Sequence, residues 1–114
     1  MTTTQLNPAI PAKYADCIAA CQQSLLDCQA CLAAMATKKS MNDCPRCCVD
    51  CVDACLMAIK FMASDSQYAA RYCAICADIC EWCAEQCAEH DHDHCQRCAE
   101  SSRRCAEACR KMAA

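Results

Sequence analysis

The sequence predicts an all-α chain, folded as an antiparallel up-down-up-down four-helix bundle with a Cys-lined core. Three observations lead there. Among 114 residues Gly is absent, while Ala is abundant and accompanied by Glu, Gln, Lys and Arg, a helix-forming composition. The 18 Cys recur at steps of three and four, the spacing that keeps side chains on one helical face. Polar breaks at "KKSMND", "SDSQ" and "HDHDH" cut the chain into four segments.

The first helix is expected over about 11–38. Pro11 suits a first turn, and Lys38 and Lys39 supply cations where the helix dipole favours them. The second is expected over 43–63, capped by Asn42 or Asp43 with Pro45 just inside. The third runs over 65–89, behind the capping-box spacing of Ser64 and Gln67. The fourth, over 93–113, follows the same cap spacing at Asp93 and Gln96. Residues 1–114 thus read as one domain. Helices this long measure roughly 30–40 Å, and their short connections make neighbours antiparallel.

At about 100° per residue, Cys73, Cys76, Cys80, Cys83 and Cys87 occupy an arc of about 80°. Cys17, Cys21, Cys28 and Cys31 fit a similar arc, as do Cys95, Cys98, Cys105 and Cys109. Cys44, Cys47, Cys48, Cys51 and Cys55 span about 100°. Two steps of the stripes are filled by Ser24 and Ser102 instead. Turned inward, these faces make the bundle axis a column of sulfur. Leu25, Leu32, Val52, Ile59 and Ile79 flank the stripes and are placed to seal neighbouring helices. Trp82 points away from the thiols, as if to pack against a terminal segment or another subunit.

Composition excludes several classes. Net charge is −3, basic residues are scattered and aromatics are few, which speaks against nucleic-acid binding. No apolar run is long enough to span a bilayer. "MTTTQLNPAIPAKY" has no basic n-region, apolar h-region or twin arginine, so the expected compartment is the cytoplasm, where thiols stay reduced. No nucleophile–base pair stands out, and the Cys-x2-Cys steps lack the βαβ setting of redox motifs, so no enzyme is expected.

Eighteen Cys far exceed the one or two that a small core residue would explain. Disulfides need an oxidising compartment and usually a loop-rich fold. "CPRCCVDCVDAC" resembles a ferredoxin run, but no Pro follows and the adjacent Cys47 and Cys48 break the frame. Zinc wants four ligands in a tetrahedral array, and 18 sulfurs exceed what structural zinc sites need. Cu(I) fits best: it is soft, favours thiolates, and is held by two or three sulfurs, so that thiols at i and i+4 can grip one ion. Each Cu(I) also offsets the charge of one thiolate, which makes a buried polyanion tolerable. The alternative kept open is a metallothionein-like sink for zinc or cadmium. Buried thiols can remain protonated and neutral, so the helices are expected to persist without metal.

The Cys-x3-Cys pairs Cys17/Cys21, Cys51/Cys55, Cys76/Cys80, Cys83/Cys87 and Cys105/Cys109, spread over four antiparallel helices, resemble the bacterial copper storage proteins, and in particular their cytosolic branch. The resemblance spans nearly the whole chain. It implies multiple Cu(I) ions held by the 18 Cys inside the bundle, storage rather than catalysis, and a homo-oligomer, a tetramer of bundles. A copper chaperone is a partner consistent with that role.

One end of such a bundle gathers Met35, Met41, His90, His92 and His94 beside Cys31, Cys44, Cys87 and Cys95. These weaker ligands are expected to form the mouth that admits copper. The opposite end carries Tyr14, Phe61, Met62, Tyr68 and Tyr72 and reads as a plug. Met57 is expected on the outer face.

Overall fold

The computed structural model describes residues 6–114. The first five residues of the stretch read for a leader lie outside them. A 3-10 turn at Ala12–Tyr14 leads into α1 (Ala15–Met35), followed by α2 (Arg46–Ala63), α3 (Ala69–Ala88) and α4 (Asp93–Ala113). The described residues contain helices and no strand. α1 packs on α2 and α4, and α3 on α2 and α4, closing a four-helix ring. No helix among the described residues is long and apolar enough to cross a membrane.

The most extensive contact joins α3 to α4. Its cause is legible in small residues one heptad apart: Ala77 and Ala84 on α3, Ala99 and Ala106 on α4, all buried. Methyl side chains let two helices approach closely on the flank of the thiol stripe. The α1–α4 seam is fixed by a polar clasp, in which Ser101 donates to the half-buried Asp27 carboxylate, which also accepts from Gln23 Nε2 at 3.1 Å. Leu25, Leu32, Val52, Ile59 and Ile79 pack against the core from its flanks, as their phase predicts. Trp82 is half-buried against this chain's own core.

The helix starts differ from the expected caps. α2 begins at Arg46, and neither Asn42 nor Asp43 caps it with a side chain. Asn42 is committed elsewhere: its Oδ1 accepts from Cys44 N–H at 3.0 Å, and its Nδ2 donates to Gln86 O and Glu89 Oε2, each at 2.8 Å. Gln86 Oε1 in turn accepts from Asp43 N–H at 2.9 Å. The loop after α1 is therefore stapled to the end of α3. Ser64 and Gln67 form no capping box. Ser64 Oγ donates back to Lys60 O, while Ser66 Oγ accepts from Tyr68 N–H at the real start of α3. Asp93 lies inside α4 and pairs with Arg97, and Gln96 Nε2 reaches back to Ala88 O and His90 O, which ties the "HDHDH" turn down. α1 stops at Met35, so Lys38 and Lys39 lie beyond its last turn.

Candidate metal centre

All 18 Cys are free thiols and all are buried, with no exposure above 2%. Seventeen project from α1–α4. Cys44 precedes α2 and is carried inward by the stapled loop. Helical phase thus aims the thiols at one axis, where cross-helix sulfurs come within hydrogen-bonding range: Cys28–Cys98 at 3.3 Å, Cys51–Cys80 at 3.5 Å, Cys31–Cys95 at 3.6 Å and Cys17–Cys109 at 3.6 Å.

These contacts build metal-sized groups. The quartets Cys21–Cys55–Cys76–Cys105, Cys28–Cys48–Cys83–Cys98, Cys31–Cys44–Cys48–Cys87 and Cys47–Cys48–Cys83–Cys87, and the trio Cys17–Cys21–Cys109, each hold their sulfurs within 4.8 Å of one another. Cys48 belongs to three quartets. Its adjacency to Cys47, which breaks a ferredoxin frame, is what lets one turn of α2 serve several neighbours.

The sulfur column has a waist. Ser24 and Ser102, both fully buried, face one another across the axis with their oxygens 3.4 Å apart. Towards the α3–α4 turn lie Cys28 and Cys31 of α1, Cys44, Cys47 and Cys48 at the start of α2, Cys83 and Cys87 of α3, and Cys95 and Cys98 of α4. Towards the α2–α3 turn lie Cys17 and Cys21, Cys51 and Cys55, Cys73, Cys76 and Cys80, and Cys105 and Cys109. Helical phase places both serines on their stripes, but their meeting depends on register between α1 and α4, a tertiary property of two residues 78 positions apart.

The thiols share protons. Burial raises Cys44 and Cys95 to about 12, assisted by Cys31 in each case. Cys31 itself is lowered to about 6, because the Cys48 and Cys87 thiols donate to it and the His94 ring adds to the effect. Cys98 is held well below the usual thiol range by donation from Cys28, Cys31, Cys48 and Cys83, while Cys48 is pushed far up as a donor to its neighbours. A dry interior stabilises a thiolate only where adjacent S–H groups point at it. Such a core favours cations that replace these protons. Each thiolate is a soft donor, suited to soft cations.

The five residues expected at the mouth separate. His94 Nδ1 is 3.4 Å from both Cys31 Sγ and Cys95 Sγ, and its Nε2 is buried without a partner. His92 is exposed and stacks on His94, with ring centroids 5.2 Å apart. His90 is buried, and its Nε2 is engaged with Asn42 Oδ1 at 2.9 Å and Ser40 Oγ at 3.4 Å, so it secures the loop. Met35 is buried beneath this end, whereas Met41 is 74% exposed. At the other end Phe61 and Tyr72 stack at 4.2 Å, Met62 is fully buried, and Tyr14 OH donates to Asp65 at 3.4 Å. Tyr68 is half exposed there, beneath the Arg71 guanidinium, and Met57 faces outward.

A family model described as copper storage protein matches residues 10–114. The uncharacterized cysteine-rich protein YhjQ of Bacillus subtilis (strain 168) is 43% identical over 101 residues, covering 86% of this chain and 94% of its own. Among solved structures, the Cu(I)-bound copper storage protein BsCsp3 superposes with a TM-score of 0.85 at 41% identity, covering 90% of this chain and 99% of its own. Apo-Csp3 from Bacillus subtilis gives 0.84 at 42% identity, over 89% of this chain and 99% of its own. A protein of Nitrosospira multiformis gives 0.78 at 32% identity, over 89% and 94%. The chain belongs to the copper storage protein family.

Proposed function

We propose that this protein stores copper as many Cu(I) ions, on the order of one per Cys, bound to the 18 thiolates inside the bundle. The observation that carries the reading is the complete burial of every thiol along one axis, in a bundle that superposes on a Cu(I)-bound relative. Each ion replaces one thiol proton, so the filled core approaches neutrality. The inlet is at His94, which lies against Cys31 and Cys95, with His92 and Met41 exposed at the same end and Met35 buried there. The protein acts by sequestration rather than catalysis and works in the cytoplasm, receiving copper from a chaperone. The exposed Val49, Leu56, Met57 and Ile75 on α2 and α3 support assembly into a homotetramer.

The four-sulfur quartets favour a second reading, a sink for zinc or cadmium, because tetrahedral thiolate sites suit zinc. Shared ligands weigh against it: with Cys48 common to three quartets, isolated four-ligand sites cannot all be filled together. Titration of the reduced, anaerobic apoprotein separates the two. Competition against a strong chelator is expected to give about one Cu(I) per Cys and weaker, sparser zinc binding. Uptake of only a few Cu(I), or preference for zinc, would refute storage.

A further inference from the structure

We propose that the Ser24–Ser102 pair divides the copper store into two compartments of nine thiols each, filled in succession from the His94 end; this rests on the storage reading above. The four quartets and the trio named above each lie wholly on one side of the pair. At the waist, two stripe positions that would otherwise carry sulfur carry hydroxyl oxygen. Hydroxyls are harder, and being neutral at ordinary pH they balance no cation, so Cu(I) passes them without a site. Their own hydrogen bonding is local: Ser24 Oγ lies 3.4 Å from both Ser102 Oγ and Cys51 Sγ, and Ser102 Oγ lies 3.7 Å from Cys28 Sγ.

The two compartments differ in access. The one beside the α3–α4 turn is covered by the half-buried His94, whose Nδ1 lies 3.4 Å from Cys31 and Cys95 and whose ring stacks on the exposed His92. The other is closed by the Phe61–Tyr72 stack, Met62 and the Tyr14–Asp65 contact. Copper bound for the inner compartment therefore crosses the waist. It moves by thiolate exchange: a new S–Cu(I) bond forms as an old one breaks, and the proton of the receiving thiol passes to the vacated thiolate, with no change of oxidation state. Cys51 is the stepping stone. Its thiol interacts with Cys28 and Cys83 across the waist, beside Ser24, and lies 3.5 Å from Cys80 on its own side, so it can take the ion from the first two and pass it to the third.

Native mass spectrometry of the reduced full-length protein during stepwise Cu(I) addition tests this. The expected result is a population that accumulates near half loading before the second half fills. Ser24→Cys/Ser102→Cys restores sulfur at the waist, and is expected to abolish the pause and raise capacity by about two ions. Cys51→Ala keeps the serines but removes the stepping stone, and is expected to lengthen the pause at least about tenfold. Full capacity reached by the wild-type protein with no accumulation at half loading overturns the two-compartment proposal and leaves storage standing. A pause that survives in the double Cys variant, or is unchanged by Cys51→Ala, overturns it likewise. A total capacity of only a few ions overturns the storage reading itself.

Discussion

Cys48 is the residue whose loss discriminates most sharply between a shared thiolate core and a set of separate sites. It contributes to three of the quartets that crowd the α3–α4 end, whereas Cys17 lies in the Cys17–Cys21–Cys109 trio at the closed end. Cys48→Ser replaces the sulfur by a poor Cu(I) ligand and leaves Cys28–Cys83–Cys98, Cys31–Cys44–Cys87 and Cys47–Cys83–Cys87 as three-sulfur remnants. Because Cu(I) is held by two or three sulfurs, no quartet need lose its ion outright. Capacity should fall by about one, following charge balance, but about three ions should bind more weakly, each by at least about tenfold or ~1.4 kcal/mol. Cys17→Ser should also remove about one ion while weakening few others. Chelator competition under anaerobic conditions reads both quantities, since the weakened ions leave first. The hydroxyl also costs the metal-free fold about 1–3 kcal/mol, because it is buried where only weak sulfur partners surround it. That lowers Tm by about 4–8 °C for each kcal/mol in a domain near this size. Equal numbers of weakened ions in the two variants would refute the idea that quartets share Cys48.

His94→Ala should slow Cu(I) uptake severalfold in stopped-flow measurements while leaving the final load within about one ion of wild type; His90→Ala should instead loosen the Asn42 loop and lower Tm, and an unchanged uptake rate in the His94 variant would remove the inlet from its proposed place. Stability of the metal-free protein should peak near the ordinary thiol value and decline on both sides of it. Cys44 and Cys95, raised to about 12, contribute stability that is present below the ordinary thiol value and lost as pH climbs from there towards 12; Cys31, lowered to about 6, contributes stability that is present above the ordinary thiol value and lost as pH falls from there towards 6. Denaturant titrations from pH 5 to pH 11 check the shape, and a stability rising steadily to pH 11 would contradict it. Chelated, reduced protein should retain its helical circular dichroism, and Met62→Ala should cost it on the order of 2–5 kcal/mol because Met62 is fully buried in the closed end; loss of helix on metal removal would show that the thiol core cannot pack by itself.

The helices and the direction of the thiols were legible because both follow from one periodicity. Spacings of three and four place Cys73 through Cys87 on a single face whatever the neighbours do, and burying that face dictates a bundle. Family resemblance rested on the same pattern. What escaped the sequence was decided between segments. Asn42 has the chemistry of a helix cap, but Gln86 and Glu89 recruit it for the loop, and α2 starts three residues after Asp43. His90, His92 and His94 look equivalent along the chain, yet only His94 is turned towards Cys31 and Cys95, because α4 begins at Asp93 and fixes its direction. Trp82 faces away from its own stripe yet is half-buried against this chain's core, which helical phase alone does not reveal. The serine waist depends on vertical register between α1 and α4, which is set by clasps such as Ser101–Asp27.

The central claim is that the buried sulfur column is the metal site. Crystals of the fully loaded protein, measured at the copper absorption edge, test it most directly. The expected anomalous map has a string of copper peaks along the bundle axis, each between two or three Cys sulfurs, thinning beside Ser24 and Ser102. Copper confined to the surface near His92 and Met41, with the sulfur column metal-free, would contradict it.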